Sequence, residues 1–117
     1  RVGKHIDEKF AHKYYNQIGL GIDFTARDIQ RECKAKGLPW EKAKAFENSA
    51  VLSKSFIDKN ELNLNNIQFY LTQNDQKVQV GTSADMIFTP AGVGPVKIGD
   101  KLKGYINNEE MFAIEIR

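Results

Sequence analysis

The stretch from Gly21 to Gln30 concentrates the side chains that could carry chemistry. It contains two carboxylates, a guanidinium and an amide, on Asp23, Asp28, Arg27 and Gln30, and Lys44 follows shortly after. A carboxylate can ligate a cation, and a lysine beside it can neutralise negative charge that develops on a substrate oxygen. The stretch therefore predicts a polar site, provided that the local structure turns these groups toward a cleft.

A strand that ends close to a helix is predicted to position Asp23. Ile18, Leu20 and Ile22 alternate with small or polar residues, which is the pattern of a half-buried strand. Asp23 would then lie at the corner between strand and helix, where a carboxylate can face a cleft instead of a core.

The helix is predicted to run from about Ala26 to Lys36, because Gly37 and Pro39 are stop signals just beyond it. Thr25 is the predicted N-cap, with Asp28 at the N3 position. Phe24 and Ile29 would then form the hydrophobic staple of the first turn.

Several residues near this stretch are typical of ordinary structure. Cys33 follows Ile29 by one helical turn, so we expect it in the core and not as a nucleophile. His5 and His12 have no partner at a metal-ligand spacing. A nucleic-acid interface on the basic face of the helix is disfavoured, because interleaved aromatic residues are absent. That face consists of Arg27, Arg31, Lys34 and Lys36.

The rest of the chain predicts one more helix and two hairpins. Asp7 can cap a helix of about ten residues, and the Asn74-Asp75 and Asn107-Asn108 pairs are turn signals between alternating apolar runs. Short helices followed by antiparallel strands predict an α+β fold, rolled or barrel-like, with residues 1–117 in a single domain.

Composition sets limits on the function. The chain has 117 residues and a formal net charge of +2, which is too small to indicate a nucleic-acid or anionic-membrane partner. Its single cysteine fits a reducing compartment, and no apolar run has the length of a membrane span. We therefore expect a cytoplasmic protein without nucleic-acid or membrane partners.

Three segments of the chain together carry a family pattern. The first comprises Gly21 to Trp40 with Ala43 to Phe46, the second is Gly81-Thr82-Ser83-Ala84-Asp85-Met86-Ile87-Phe88, and the third is Thr89-Pro90-Ala91-Gly92-Val93-Gly94-Pro95. They resemble the fumarylacetoacetate hydrolase family, in its acylpyruvate hydrolase and oxaloacetate decarboxylase branch. The resemblance implies the mixed β-roll of that family's C-terminal domain. It also implies a metal-dependent enzyme, which acts on 2-oxo or 1,3-dicarbonyl acids and is typically a homodimer.

The resemblance also assigns roles to individual residues. Asp23 is implied as a ligand of a divalent cation, usually Mg²⁺, with Mn²⁺ or Ca²⁺ as alternatives. Gln30 and Lys44 are implied to hold substrate oxygens, and Arg27 to lie beside the active site. Thr89 is implied to contact the substrate carboxylate.

The sequence departs from the family pattern in two places. A Glu-x-Glu metal pair and a His–Glu dyad, which lie upstream in the family, are not found, and Phe88 adjoins Thr89 where the family has an intervening helix and strand. We therefore expect the sequence to represent parts of a longer polypeptide, joined at Phe88–Thr89.

The residues leave the reaction open. Hydrolysis of a carbon–carbon bond, as in an acylpyruvate hydrolase, is the leading interpretation. Decarboxylation of oxaloacetate and isomerisation of a hydroxydienedioate are alternatives. A degenerate binding or dimerisation module is the alternative that is not an enzyme.

Overall fold

A computed structural model of the chain describes residues 7–85 and 92–117. The chain divides into two compact units, Gly21–Leu52 and the remainder, Arg1–Leu20 with Ser53–Arg117. Two compact units can belong to one domain, so the single domain over residues 1–117 stays a prediction. Short helices and antiparallel strands occur together, which confirms the α+β class.

The shorter unit contains strands β2 (Gly21–Asp23) and β3 (Ala50–Leu52) and helices α1 (Arg27–Ala35) and α2 (Glu41–Lys44). β2 and β3 pair in antiparallel fashion, with Asp23 opposite Ala50. Cys33 lies on the packed side of α1 and is 6% exposed, as its position in the apolar stripe predicted.

Helix α1 ends as predicted. Gly37 has φ +64°, a left-handed conformation that favours glycine. The Leu38 amide donates to the Cys33 carbonyl at 2.8 Å, and the Gly37 amide donates to the Lys34 carbonyl. This pair of bonds is the Schellman motif, which satisfies carbonyls that the helix end would leave without partners.

The longer unit is built on a four-stranded antiparallel sheet in the order β6-β5-β7-β8. Its strands are β5 (Gln68–Gln73), β6 (Gln76–Thr82), β7 (Lys101–Ile106) and β8 (Glu109–Glu115), and a smaller pair joins β1 (Gln17–Ile18) to β4 (Ile57–Asp58). Leu102 and Ile106 are almost fully buried on one face. Both predicted hairpins are confirmed, and their turns have positive φ at Asn74, Asp75 and Asn107.

Two predicted elements are wrong in extent. The continuous strand through Ile18, Leu20 and Ile22 is split into β1 and β2, which pair with β4 and β3 respectively. The helix after Asp7 is only a 3₁₀ helix, Glu8–Lys13, although Asp7 does cap it by accepting from the Lys9 amide at 3.1 Å. None of its residues is buried, so there is no packed face to extend it into a longer helix.

Within residues 7–85 and 92–117, no helix has both the length and the apolar character needed to cross a bilayer.

Candidate functional site

Backbone hydrogen bonds bring the segment around Asp23 close to the end of α2. The Phe24 amide donates to the Ser49 carbonyl at 2.8 Å, and the Ala26 amide donates to the Ala43 carbonyl at 3.0 Å. Ala43 is fully buried, so this second bond is protected from water. The backbone on both sides of the candidate site is therefore fixed within one unit.

Lys44 joins two of the polar side chains. Its ammonium nitrogen Nζ donates to Asp23 Oδ2 and, at 2.6 Å, to Thr25 Oγ1. The lysine side chain is 33% exposed, while the Asp23 side chain is 71% exposed. The carboxylate therefore faces solvent, and the amine that balances its charge is partly covered.

The position of Thr25 corrects a prediction. The N-cap of α1 is Ala26, and no side chain caps the helix, so Thr25 is not the N-cap, Asp28 is not at N3, and Phe24 and Ile29 do not hold the staple positions. The Thr25 hydroxyl accepts from Lys44 instead. Sequence reasoning missed this contact because the lysine lies beyond the reach of any local capping pattern.

Arg27 and Gln30 form a second group on the first turn of α1. The Arg27 guanidinium donates to Gln30 Oε1 at 2.8 Å, which leaves the NH₂ group of the Gln30 amide as a donor. In the part of the chain that the structure describes, no hydrogen bond or ion pair links this group to Asp23, Thr25 or Lys44. The structure thus brings Asp23 together with Lys44, and Arg27 together with Gln30, as two separate pairs.

The donor set fits one position of a divalent-cation site. The exposed carboxylate of Asp23 is a hard oxygen ligand of the kind that Mg²⁺ and Mn²⁺ take. No cluster of three or more His, Cys, Asp or Glu residues that could hold a metal occurs among residues 7–85 and 92–117. Asp23 is therefore chemically suited to be a ligand, and a complete site needs further oxygen atoms.

The remaining candidate residues lie outside this site or outside the part of the chain that the structure describes. Thr89 and His5 fall outside the described residues, as does the Phe88–Thr89 junction. His12 is exposed, and Cys33 is a buried free thiol, which fits its predicted place in the core.

A model of the fumarylacetoacetate hydrolase C-terminal family matches residues 1–93. The oxaloacetate tautomerase YcgM of Escherichia coli is 36% identical over 121 residues, which cover 81% of this chain and 55% of that protein.

Solved structures of similar fold agree with this match. A Yersinia pestis CO92 protein, provisionally assigned to the fumarylacetoacetate hydrolase family, is 31% identical with a TM-score of 0.86, and the match covers 97% of this chain and 65% of that one. A fumarylpyruvate hydrolase of Pseudomonas aeruginosa, solved with Mn²⁺ and pyruvate, is 22% identical with a TM-score of 0.83, over 95% of this chain and 58% of that one. This chain spans less than two thirds of each of these proteins.

Proposed function

Because this chain belongs to the fumarylacetoacetate hydrolase C-terminal family, we propose that it forms part of an enzyme that stabilises the enolate of a 2-oxo acid. The proposed reaction is the divalent-metal-dependent cleavage of a carbon–carbon bond in acylpyruvate or fumarylacetoacetate-type acids. The observation that carries the proposal is the Lys44 ammonium, held between Asp23 and Thr25 beside an exposed carboxylate.

The chemistry needs positive charge near a carbonyl. Breaking the bond next to a 2-oxo group leaves an electron pair that is delocalised onto oxygen, and fixed positive charges lower the barrier to that step. A divalent cation, when bound, polarises the oxygens of the 2-oxo acid. Asp23 would contribute one anionic ligand to it, and Mg²⁺, Mn²⁺ or Ca²⁺ are the candidate ions.

The other residues have roles that follow from their donors. After its bonds to Asp23 and Thr25, Lys44 keeps one N–H donor and its positive charge, so it can hold a substrate oxygen that becomes negative. Gln30 offers the NH₂ group that Arg27 leaves free, and Arg27 fixes its orientation from the same turn of α1. Thr89 is proposed as a contact of the distal carboxylate.

A second candidate is the keto–enol tautomerisation of oxaloacetate. The specific observation that favours it is the 36% identity to the E. coli oxaloacetate tautomerase. Tautomerisation passes through the same enolate but moves only a proton, so it needs no attacking water. Decarboxylation of oxaloacetate and isomerisation of a hydroxydienedioate share this enolate and are tested in parallel.

The test is an assay of the intact protein with each substrate, with and without Mg²⁺ or Mn²⁺. Hydrolysis of an acylpyruvate adds water across the bond and releases pyruvate and a carboxylic acid, whereas tautomerisation changes the ultraviolet absorbance of oxaloacetate without releasing a product. Lys44→Met should lower the rate of whichever reaction the wild type catalyses by at least about tenfold, since it removes a charge-assisted hydrogen bond to the developing oxyanion.

Lys42→Met is the matched control, because Lys42 lies on the same short helix and is exposed. Equal activity of the wild type and Lys44→Met would refute the assigned role of Lys44. No turnover of any of these substrates, together with no Mn²⁺ binding by calorimetry, would favour the binding or dimerisation module. The homodimer, the cytoplasmic location and the lack of nucleic-acid or membrane partners remain predictions.

A further inference from the structure

We infer that Thr25 is a positioning residue for Lys44: its hydroxyl fixes the direction of the lysine ammonium beside Asp23. The inference rests on the function proposed above, because it assigns a role to a residue that supports Lys44. Thr25 itself need not touch the substrate.

The Thr25 hydroxyl is not used for local structure. Threonines before a helix commonly accept from an amide of the first turn, but the N-cap of α1 is Ala26 and no side chain caps the helix. Thr25 is half-buried, and its Oγ1 accepts from Lys44 Nζ at 2.6 Å. The hydroxyl thus makes no local capping bond and instead contacts a residue of α2.

The backbone next to this contact is already fixed. The Ala26 amide, one residue after Thr25, donates to the carbonyl of Ala43, one residue before Lys44. What stays free is the four-carbon stem of the lysine, which has many rotamers of similar energy. A hydrogen bond at the far end of the stem is therefore what selects one of them.

Asp23 alone is a poor anchor for the amine. Its side chain is 71% exposed, and ion pairs in contact with water are screened and weakly favourable. Any cation that the carboxylate binds would also compete with Lys44 for its charge. The neutral, half-buried oxygen of Thr25 is not subject to that competition, so it can hold the ammonium whether or not Asp23 is engaged.

The test compares Thr25→Val, which keeps the shape and loses the hydroxyl, with Thr25→Ser, which keeps the hydroxyl. The intact wild-type protein and both variants are labelled with trace acetic anhydride, and the acetylation of each lysine is measured by mass spectrometry. Lys42, on the same helix, is the internal reference. We expect the Lys44-to-Lys42 labelling ratio to rise about three- to tenfold in Thr25→Val and to stay near the wild-type value in Thr25→Ser.

Steady-state kinetics provide the second readout. Thr25→Val should lower kcat and kcat/KM together, by about tenfold, because a misdirected ammonium loses contact with the charge that develops in the transition state. Thr25→Ser should restore most of the rate. Thermal unfolding is measured in parallel, and Thr25→Ala replaces Thr25→Val if the valine variant does not fold.

An unchanged labelling ratio in the hydroxyl-free variant overturns the inference, even if its stability or activity falls. A raised ratio that serine restores supports it. Failure of the wild type to act on any substrate would refute the proposed function, and the labelling ratio would still decide whether Thr25 orients Lys44.

Discussion

Replacement of Gly104 by alanine should destabilise the four-stranded sheet through a steric clash. A Cβ at this position would lie 2.3 Å from Cζ and 2.4 Å from Cε1 of Phe112, and 2.8 Å from Cδ2 of Leu20. Phe112 is the cross-strand partner of Gly104 and is 7% exposed, so any movement of its ring disturbs the packing around it. Strand β7 or the Phe112 ring must therefore shift.

The size of the effect follows from two opposing contributions. Overpacking of a core by one carbon costs about 1–3 kcal/mol. Alanine regains about 0.5–1 kcal/mol relative to glycine inside a strand, because it loses less backbone entropy on folding. Because the new Cβ would contact two side chains, we expect the cost to lie in the upper half of the 1–3 kcal/mol range, about 2–3 kcal/mol. The net loss of stability is then about 2 kcal/mol, and Tm should fall by roughly 5–10 °C.

Circular dichroism during thermal and urea unfolding is the assay. Gly94→Ala is the matched control, because a Cβ there meets nothing within 4 Å and its φ is outside the left-handed region. Its stability should stay within about 0.5 kcal/mol of the wild type. If Gly104→Ala melts within about 1 °C of the wild type, the close packing of Gly104 against Phe112 does not limit the size of the side chain at this position.

Two further predictions concern charged groups. Asp23→Asn should change the free energy of unfolding by less than about 1 kcal/mol, because the ion pair of Asp23 with Lys44 is exposed on the carboxylate side. Calorimetry should nevertheless show that Mn²⁺ binding is weakened by at least about tenfold, because one anionic ligand is lost. Unaltered Mn²⁺ binding would remove Asp23 from the proposed site. Hydrogen bonds from Asn74 and from the Lys97 amide lower the pKa of Asp100, so its contribution to stability is fully present above the ordinary pKa of an aspartate and is lost as the pH falls through the lowered folded-state pKa. Acid unfolding followed between about pH 5 and 2 should consequently be less steep in Asp100→Asn than in the wild type, and equal slopes would contradict this assignment.

Local sequence signals predicted those elements whose causes are local. The hairpin turns at Asn74-Asp75 and at Asn107 require positive φ, which asparagine and aspartate tolerate better than most residues. Gly37 ended α1 for the same kind of reason. These features depend on a few adjacent residues, so their prediction needed no knowledge of distant partners.

Features set by distant partners could not be predicted in this way. The alternation through Ile18, Leu20 and Ile22 indicated one strand, but a Cβ on Gly19 would meet the Phe56 ring at 2.5 Å, and the Leu20 amide donates to the Ser53 hydroxyl. These contacts with a later segment accompany the break between β1 and β2. Periodicity within one segment contains no information about them.

In the candidate site, too, features with local causes were predicted and contacts with distant partners were not. Asp23 was placed correctly at the end of a strand. A substrate-binding role for Lys44 was implied only by the family resemblance, since lysines are usually exposed and carry no local signal of function. The contact between Lys44 and Asp23 joins residues 21 positions apart. The contact with Thr25 had no counterpart in the sequence pattern, and it is known only from the structure.

The bonds that assemble this site all close within residues 21–52. The antiparallel pairing of β2 with β3, the Ala26–Ala43 hydrogen bond and the two contacts of Lys44 each require the closure of a loop of moderate length. The entropy lost on closure rises only slowly with loop length, so the cost of closing the loop is similar for each of these bonds. All of them join residues of the Gly21–Leu52 unit, and none involves a strand of the four-stranded sheet.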